Sequence, residues 1–459
     1  MNSNIDKKMT LFFSREGILN ILFLLFPVSL IAGNLVTNLN TFLIILLALV
    51  FYKKKIFQIN FHFFDKLIIL FFVTLIISST YNGVHFFLDN IFPHAGFKTF
   101  EGYEQTFEGN KNILKSILFL RYLLLYFIIR FCVSNNILNV KNFIISSALC
   151  SVFLSVDLII QFTFGTDIFG FKATDYHVRK FGGPFKDELI AGGYLQRFSL
   201  LTFYVFSFLN IDQLNKYKKY LLPLIIILVT YGIFISGNRM PLLLFIFSIF
   251  LIILMNKGLK KILVFFLILF SIGFYSIYNY SLETKTNLLR LEYDIKGIFT
   301  YAIKKDFTNE NAPLYLRTFV SFYEPWKANK FFGGGIKNFR YYCLVTNPKS
   351  VRKVCNRHPH NYYLEILTET GLVGFMLIFT AFIIIFYKIF YQNYLLQRKI
   401  ELNDVIFPFM ILFFIEIFPI RSSGSFFTTN NATYLFLLLG FMISLIDKKL
   451  ITGKNQGMV

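Results

Sequence analysis

The chain has 459 residues, is 56% hydrophobic and 19% aromatic, and carries a formal net charge of +21; its mean hydropathy is +0.59. That is too apolar for soluble domains of this length, and repeated apolar runs of bilayer-spanning length predict an all-α polytopic membrane protein. The positive charge comes with no nucleic-acid recognition motif, so it points to positive-inside loops, a Lys-, Ile-, Phe- and Asn-rich composition or an anionic lipid partner.

Lys7, Lys8 and Arg15 precede the first apolar run, and no small-residue cleavage site follows, so an uncleaved first helix is expected. Apolar segments then fall near 18–34, 35–52, 67–87, 113–133, 143–165, 189–209, 221–237, 241–256, 262–279, 361–387, 404–420 and 432–446. They predict about twelve spans in a single integral membrane domain covering 1–459. Short basic loops alternate with longer ones: Lys53–Lys55 with Lys66, Lys141, Lys216 with Lys218 and Lys219, Lys257 with Lys260 and Lys261, Lys388 with Arg398 and Lys399, and Lys448 with Lys449 and Lys454. This alternation marks the cytoplasmic side and puts both termini there.

The opposite side then holds the turn near Asn34, the loops 88–112 and 166–188, the Gly237–Arg239 turn, the loop 280–360 and the turn 420–431. His94, His177, His358 and His360 fall in these outer segments, His85 lies at an outer helix end, and His62 is cytoplasmic. A reaction would therefore occur on the outer face, where ATP is an unsuitable reactant, and no phosphate-binding glycine loop is present. The 280–360 loop is too long to be structureless and is expected to hold short amphipathic helices on the membrane, Leu314–Trp326 among them.

Arg179 and Lys180 precede Phe181-Gly182-Gly183-Pro184-Phe185, where a turn at a helix start offers either an anion site or a solvated basic loop. In Ser236-Gly237-Asn238-Arg239-Met240-Pro241, Gly and Asn permit a turn and Pro241 starts the next helix. Arg239 then stands at the outer boundary, either snorkelling there or holding a phosphate in its fork. Arg317 precedes the single Trp326 and the glycines Gly333-Gly334-Gly335, which let the chain turn tightly. Cys343 and Cys355 share the outer loop; they either pair, closing a loop worth roughly 3 kcal/mol, or remain two thiols. Cys132 and Cys150 fall in apolar helices.

His358-Pro359-His360-Asn361 leads into Tyr362–Gly374. Asn361 is placed to cap that helix. A His-x-His metal pair needs further ligands, and no set at ligand spacing accompanies it, so no metal and no cofactor are assigned. The histidines are otherwise structural polar residues, or His360 is a general base for an acceptor. Glu365 and Glu369 are one turn apart on one helix face, where they orient a partner or are simply satisfied polar residues. Asp157, Arg121, Arg197 and Glu416 lie within apolar segments and are expected to pair or line a polar cavity.

In this order, Arg179 with Gly183-Pro184-Phe185, Gly237-Asn238-Arg239, Arg317 with Trp326, Gly333-Gly334-Gly335 with Asn338-Phe339, and His360-Asn361-x-Tyr363-Leu364 with Glu369-x-Gly371-Leu372-x-Gly374 resemble the O-antigen ligase and polymerase superfamily of bacterial surface-glycan assembly. The likeness spans about 170–375. It implies a metal-independent, inverting glycosyltransferase of the bacterial inner membrane. Its donor would be an undecaprenyl-diphosphate-linked glycan, used at the periplasmic face. Arg239, Arg317 and Arg179 would hold the diphosphate and His360 would serve the acceptor, supported by Asn361, His358 and Glu369. One departure is Lys330, near where the family often has proline before the glycine turn.

A ligase moving glycan to lipid A–core and a polymerase joining repeat units both fit. A flippase for lipid-linked oligosaccharide shares the many spans but lacks visible repeated halves. A structural assembly protein leaves the Arg–His set unexplained.

Overall fold

The computed structural model describes residues 14–89, 97–98, 104–105, 109–174, 181–208, 218–255, 268, 271, 275, 279, 282–304, 309, 311–347, 354–397, 400 and 404–456. Arg179, Lys180, His94 and His177 lie outside these residues, as does most of the apolar segment 262–279. Each of the other predicted apolar segments coincides with a helix. The first is broken: α1 (Arg15–Leu24) and α2 (Phe26–Ala32) meet at a 44° bend, where Pro27 has no N–H to continue the ladder.

There follow α3 (Asn34–Tyr52), α4 (Phe63–Asp89), α5 (Gly109–Ser134), α6 (Val140–Phe164), α7 (Ala191–Phe208), α8 (Lys218–Ile235) and α9 (Arg239–Met255). Among the described residues, six helices are long and apolar enough to cross a membrane, or seven if α1 and α2 form one span. The helices at Pro223–Ile235, Arg239–Ile252 and Ile406–Glu416 are shorter.

Local chemistry sets these elements. The Asn139 side chain caps α6 by accepting from the N–H groups of Lys141 and Asn142, and left-handed Gly165 ends it. Along α6, Ser147, Ser151 and Ser155 each bond back to the carbonyl four residues earlier. Their small, self-satisfied side chains let α8 approach so closely that a Cβ on Gly232 would meet Ser155.

The described residues between α9 and the next apolar helix include further helices. Among them are α10 (Leu282–Lys304), α11 (Leu314–Val320), α12 (Tyr323–Ala328) and α13 (Phe339–Thr346). α10 is longer than the short helices expected there, and it exposes Leu289, Tyr293, Phe299 and Ile303. Cys343 and Cys355 form a disulfide, which with Phe339 makes a small separate core.

α14 (Tyr362–Phe386) continues as a π-helical stretch, Tyr387–Leu396, and is followed by α15 (Ile406–Glu416) and α16 (Thr429–Gln456). α5 packs along α16, and α4 along α14.

α14 is interrupted at Gly371, whose backbone (φ 67°, ψ −170°) is not helical. The glycine loop fills the break. Leu372 N–H donates to the Lys330 carbonyl at 2.8 Å and Val373 N–H to Phe331 at 3.1 Å, while Gly334 and Gly335 N–H donate to Thr368 and Glu369 at 2.8 and 2.9 Å. Ser78 Oγ and Asn82 Nδ2 of α4 secure the same place from the side. Gly333 and Gly371 both have positive φ, and a Cβ on either would run into the other strand's backbone. Lys330 serves through its carbonyl, a group that proline also carries.

The other helix ends are locked by charge. Arg130 donates to Asp65 at 2.6 Å and to Asp447 at 3.0 Å, and His62 meets Asp447 at 2.9 Å.

Candidate active site

A cavity of 1330 Å³ opens where the ends of α7, α9, α11 and α16 and the middle of α10 meet the histidine turn that precedes α14. Arg239, Arg317, His358 and His360, placed far apart in the sequence, all line it. So do Arg197, Arg290 and Arg421, with Glu188 and Asp294 the carboxylates among the lining residues. Arg197 is one of the charges that the sequence places within an apolar segment. Arg290 and Arg421 carried no signal that set them apart: one sits in an amphipathic helix, the other in an outer turn.

Each arginine is held differently. Arg239 opens α9 after the Ser236–Asn238 turn, in which Gly237 has φ 67° and Asn238 Nδ2 donates to Ser236 Oγ at 3.1 Å. Its Nη1 donates to Asp294 of α10 at 3.0 Å. Arg317 Nε donates to the Ala312 carbonyl at 3.1 Å, which fixes the stem of the guanidinium. Arg290 and Arg317 make no ion pair among the described residues.

Arg197 and Arg421 share Glu416. Arg197 Nη2 donates to Glu416 Oε1 at 2.8 Å and Arg421 Nη1 to Oε2 at 2.7 Å. Tyr362 O–H donates to the same carboxylate at 2.8 Å. The pairing expected for the intramembrane charges is thus Arg197 with Glu416. Asp157 instead accepts from the Ile168 N–H at 2.8 Å, and Arg121 donates to Tyr122 Oη at 2.7 Å.

The histidine turn is tightly built. His360 has φ 55°, a left-handed conformation uncommon outside glycine. Its N–H donates to His358 Nδ1 at 3.2 Å, and its carbonyl accepts from Ser423 N–H at 2.8 Å. The two rings lie 4.3 Å apart. Asn356 Nδ2 pairs with His360 Nε2 at 3.1 Å; with the amide as donor, Nε2 is the lone-pair nitrogen, the form of imidazole that accepts a proton. Burial, reinforced by His360 and Arg340, pushes His358 down to about 3, so it is neutral at physiological pH.

Asn361 caps α14, accepting from Tyr363 and Leu364 N–H, and its amide donates to the carbonyls of Pro419 and Arg421. It positions the turn and is not a lining residue. Glu369 is also absent from the lining; it is fully buried beside the glycine loop. Glu365 accepts from Ser425 Oγ and Phe426 N–H, both at 2.6 Å. Among the described residues no group of three or more His, Cys, Asp or Glu gathers as a metal site.

Residues 224–379 match the O-antigen ligase family. Over that stretch, about a third of its length, the chain is similar to the O-antigen ligase and polymerase superfamily. The matched O-antigen ligase segment runs from α8 into α14, so it carries Arg239, Arg290, Arg317, His358 and His360 but neither Arg197 nor Arg421. The matched family is one of glycan-transfer enzymes, and the six or seven apolar helices among the described residues fit a multi-pass membrane protein. No curated protein matches the chain.

Proposed function

We propose that this protein is an O-antigen ligase-type glycosyltransferase that moves a glycan from undecaprenyl diphosphate to lipid A–core at the periplasmic face of the inner membrane. The observation that carries this reading is the convergence of Arg239, Arg317 and His360 on one cavity. The alternating lysine loops support cytoplasmic termini, about twelve spans and a periplasmic 280–360 segment. The Cys343–Cys355 disulfide supports an oxidising compartment for that segment.

In this mechanism the acceptor hydroxyl attacks the anomeric carbon from the face opposite the diphosphate, and configuration inverts. The anomeric C–O bond breaks and its electron pair passes to the diphosphate. Arg239 and Arg317, joined by Arg290, stabilise the charge that grows there, a task that needs no metal ion. His360 Nε2 takes the hydroxyl proton once the acceptor displaces the Asn356 amide. Arg179, outside the described residues, is a further diphosphate candidate. The donor's energy resides in its diphosphate link, so ATP is not required.

The test is a surface-glycan gel from a strain lacking the gene, complemented with wild type or His360→Ala. Bare core with polymer retained on the lipid carrier identifies a ligase. Core bearing one repeat unit identifies a polymerase. Full rescue by His360→Ala removes that residue from the chemistry and revives a transport role.

A further inference from the structure

Residues 417–431, the turn between α15 and α16 together with the first turn of α16, contribute to the cavity wall and lie outside the matched 224–379. Most polar groups there are engaged. Ser425 Oγ is bound to Glu365, and Asn431 accepts from Arg197 at 2.8 Å while donating to the Ser425 carbonyl at 2.7 Å. Arg421 Nη1 is committed to Glu416. Three buried atoms have no hydrogen-bond partner: Ser423 Oγ, Asn430 Oδ1 and Arg421 Nε. All three residues line the cavity, and Ser423 and Arg421 are only 6% and 7% exposed. Buried polar atoms are almost always partnered, so orphan atoms on residues that line a cavity mark where a ligand can supply the partners once these side chains turn toward it.

The atom types define that ligand. Asn430 Oδ1 is purely an acceptor, so it faces an O–H or N–H and would repel a phosphate oxygen. Ser423 Oγ both gives and takes, and Arg421 Nε only gives. A diphosphate offers acceptors alone, whereas each sugar hydroxyl donates and accepts. The Ser423 N–H bond to the His360 carbonyl, 2.8 Å long, sets this group directly beside the histidine.

We propose that Ser423 and Asn430 form a subsite for the hydroxyls of the sugar attached to the diphosphate, the ring whose anomeric bond is broken. This rests on the glycan-transfer reading above. The subsite separates recognition of the sugar from the arginine wall that holds the diphosphate.

The experiment measures binding of two lipids to the purified full-length protein in nanodiscs. One is undecaprenyl diphosphate without sugar; the other is the lipid-linked glycan extracted from a strain lacking the gene. Ser423→Ala and Asn430→Ala are each expected to weaken the glycosylated lipid about five- to tenfold, the loss of one hydrogen bond. Binding of the bare lipid stays at the wild-type level, which also shows that the variants fold. Ser423→Thr, which keeps the hydroxyl, restores most of the loss, while Arg317→Ala weakens both lipids. Unchanged binding of the glycosylated lipid, or an equal loss for both lipids, overturns the subsite while leaving the reaction in place. Wild-type protein that binds neither lipid overturns the reaction, and the subsite with it.

Discussion

Arg239 Nη1 donates to Asp294 Oδ2 at 3.0 Å, joining the first turn of α9 to the middle of α10. The carboxylate fixes one edge of the guanidinium and leaves the rest of the fork for an anion. Arg239→Ala is expected to lower transfer about 10²–10³-fold, the range for removing one donor from a charge-stabilising site. Arg239→Lys recovers only part of this, because an ammonium lacks the fork. Asp294→Asn costs only a few-fold, since the pair is partly exposed. Transfer rates with purified donor and acceptor check the ranking; Asp294→Asn as damaging as Arg239→Ala would assign the arginine to holding α10 instead.

Gly333 and Gly371 meet where the glycine loop enters α14. Gly333→Ala and Gly371→Ala each combine positive φ with a backbone collision, so each is expected to cost at least about 2 kcal/mol and to lower the melting temperature. Gly193 has nothing within 4 Å of an added Cβ. Gly193→Ala should stay within about 0.5 kcal/mol of wild type. Equal melting temperatures for all three variants would mean that the loop does not thread the helix in solution.

Glu416 is a buried carboxylate between the buried Arg421 and the partly buried Arg197. Glu416→Ala leaves Arg197 and Arg421 uncompensated, with an expected loss of about 3–5 kcal/mol. The cost should fall when Arg197→Met is added, since removing one cation relieves part of the imbalance. Thermal unfolding of the single and double variants in detergent measures this, and additive losses would refute the coupling.

His358 gives a pH dependence of defined sign. Its folded value, about 3, lies below the ordinary value of about 6.5. Between these limits the unfolded chain binds a proton that the folded chain excludes, so stability is full above about 6.5 and declines as pH falls toward about 3. His358→Gln keeps an acceptor for the His360 N–H and removes this titration. Melting temperatures from pH 7 to 4 should fall more steeply for wild type than for the variant; parallel curves would place the acid sensitivity elsewhere.

Much of this was readable before the fold. Ser236-Gly237-Asn238-Arg239-Met240-Pro241 announces a turn followed by a helix start, so Arg239 could be placed at a helix end from residue types alone. Asn361 before an apolar run announces a cap. The threading of α14 was not readable. Three glycines indicate a tight turn, and one glycine in an apolar helix indicates tolerance; neither says that the two places bond to each other. Arg421 and Arg290 were hidden because an arginine in an outer turn or on an amphipathic helix looks like ordinary solvated charge. The orphaned atoms of Ser423 and Asn430 have no sequence signature, because being unpartnered is a property of surroundings.

The seam between the outer segment and α14 is written in main chain: carbonyls of Lys330 and Phe331 on one side, amides of Leu372 and Val373 on the other. Such a joint is blind to the side chains around it as long as its two glycines remain. Side chains along the seam can therefore be re-lettered while α14 keeps its register against the outer segment. For an engineer the joint is a matter of backbone alone, hinged on two residues that have no side chain.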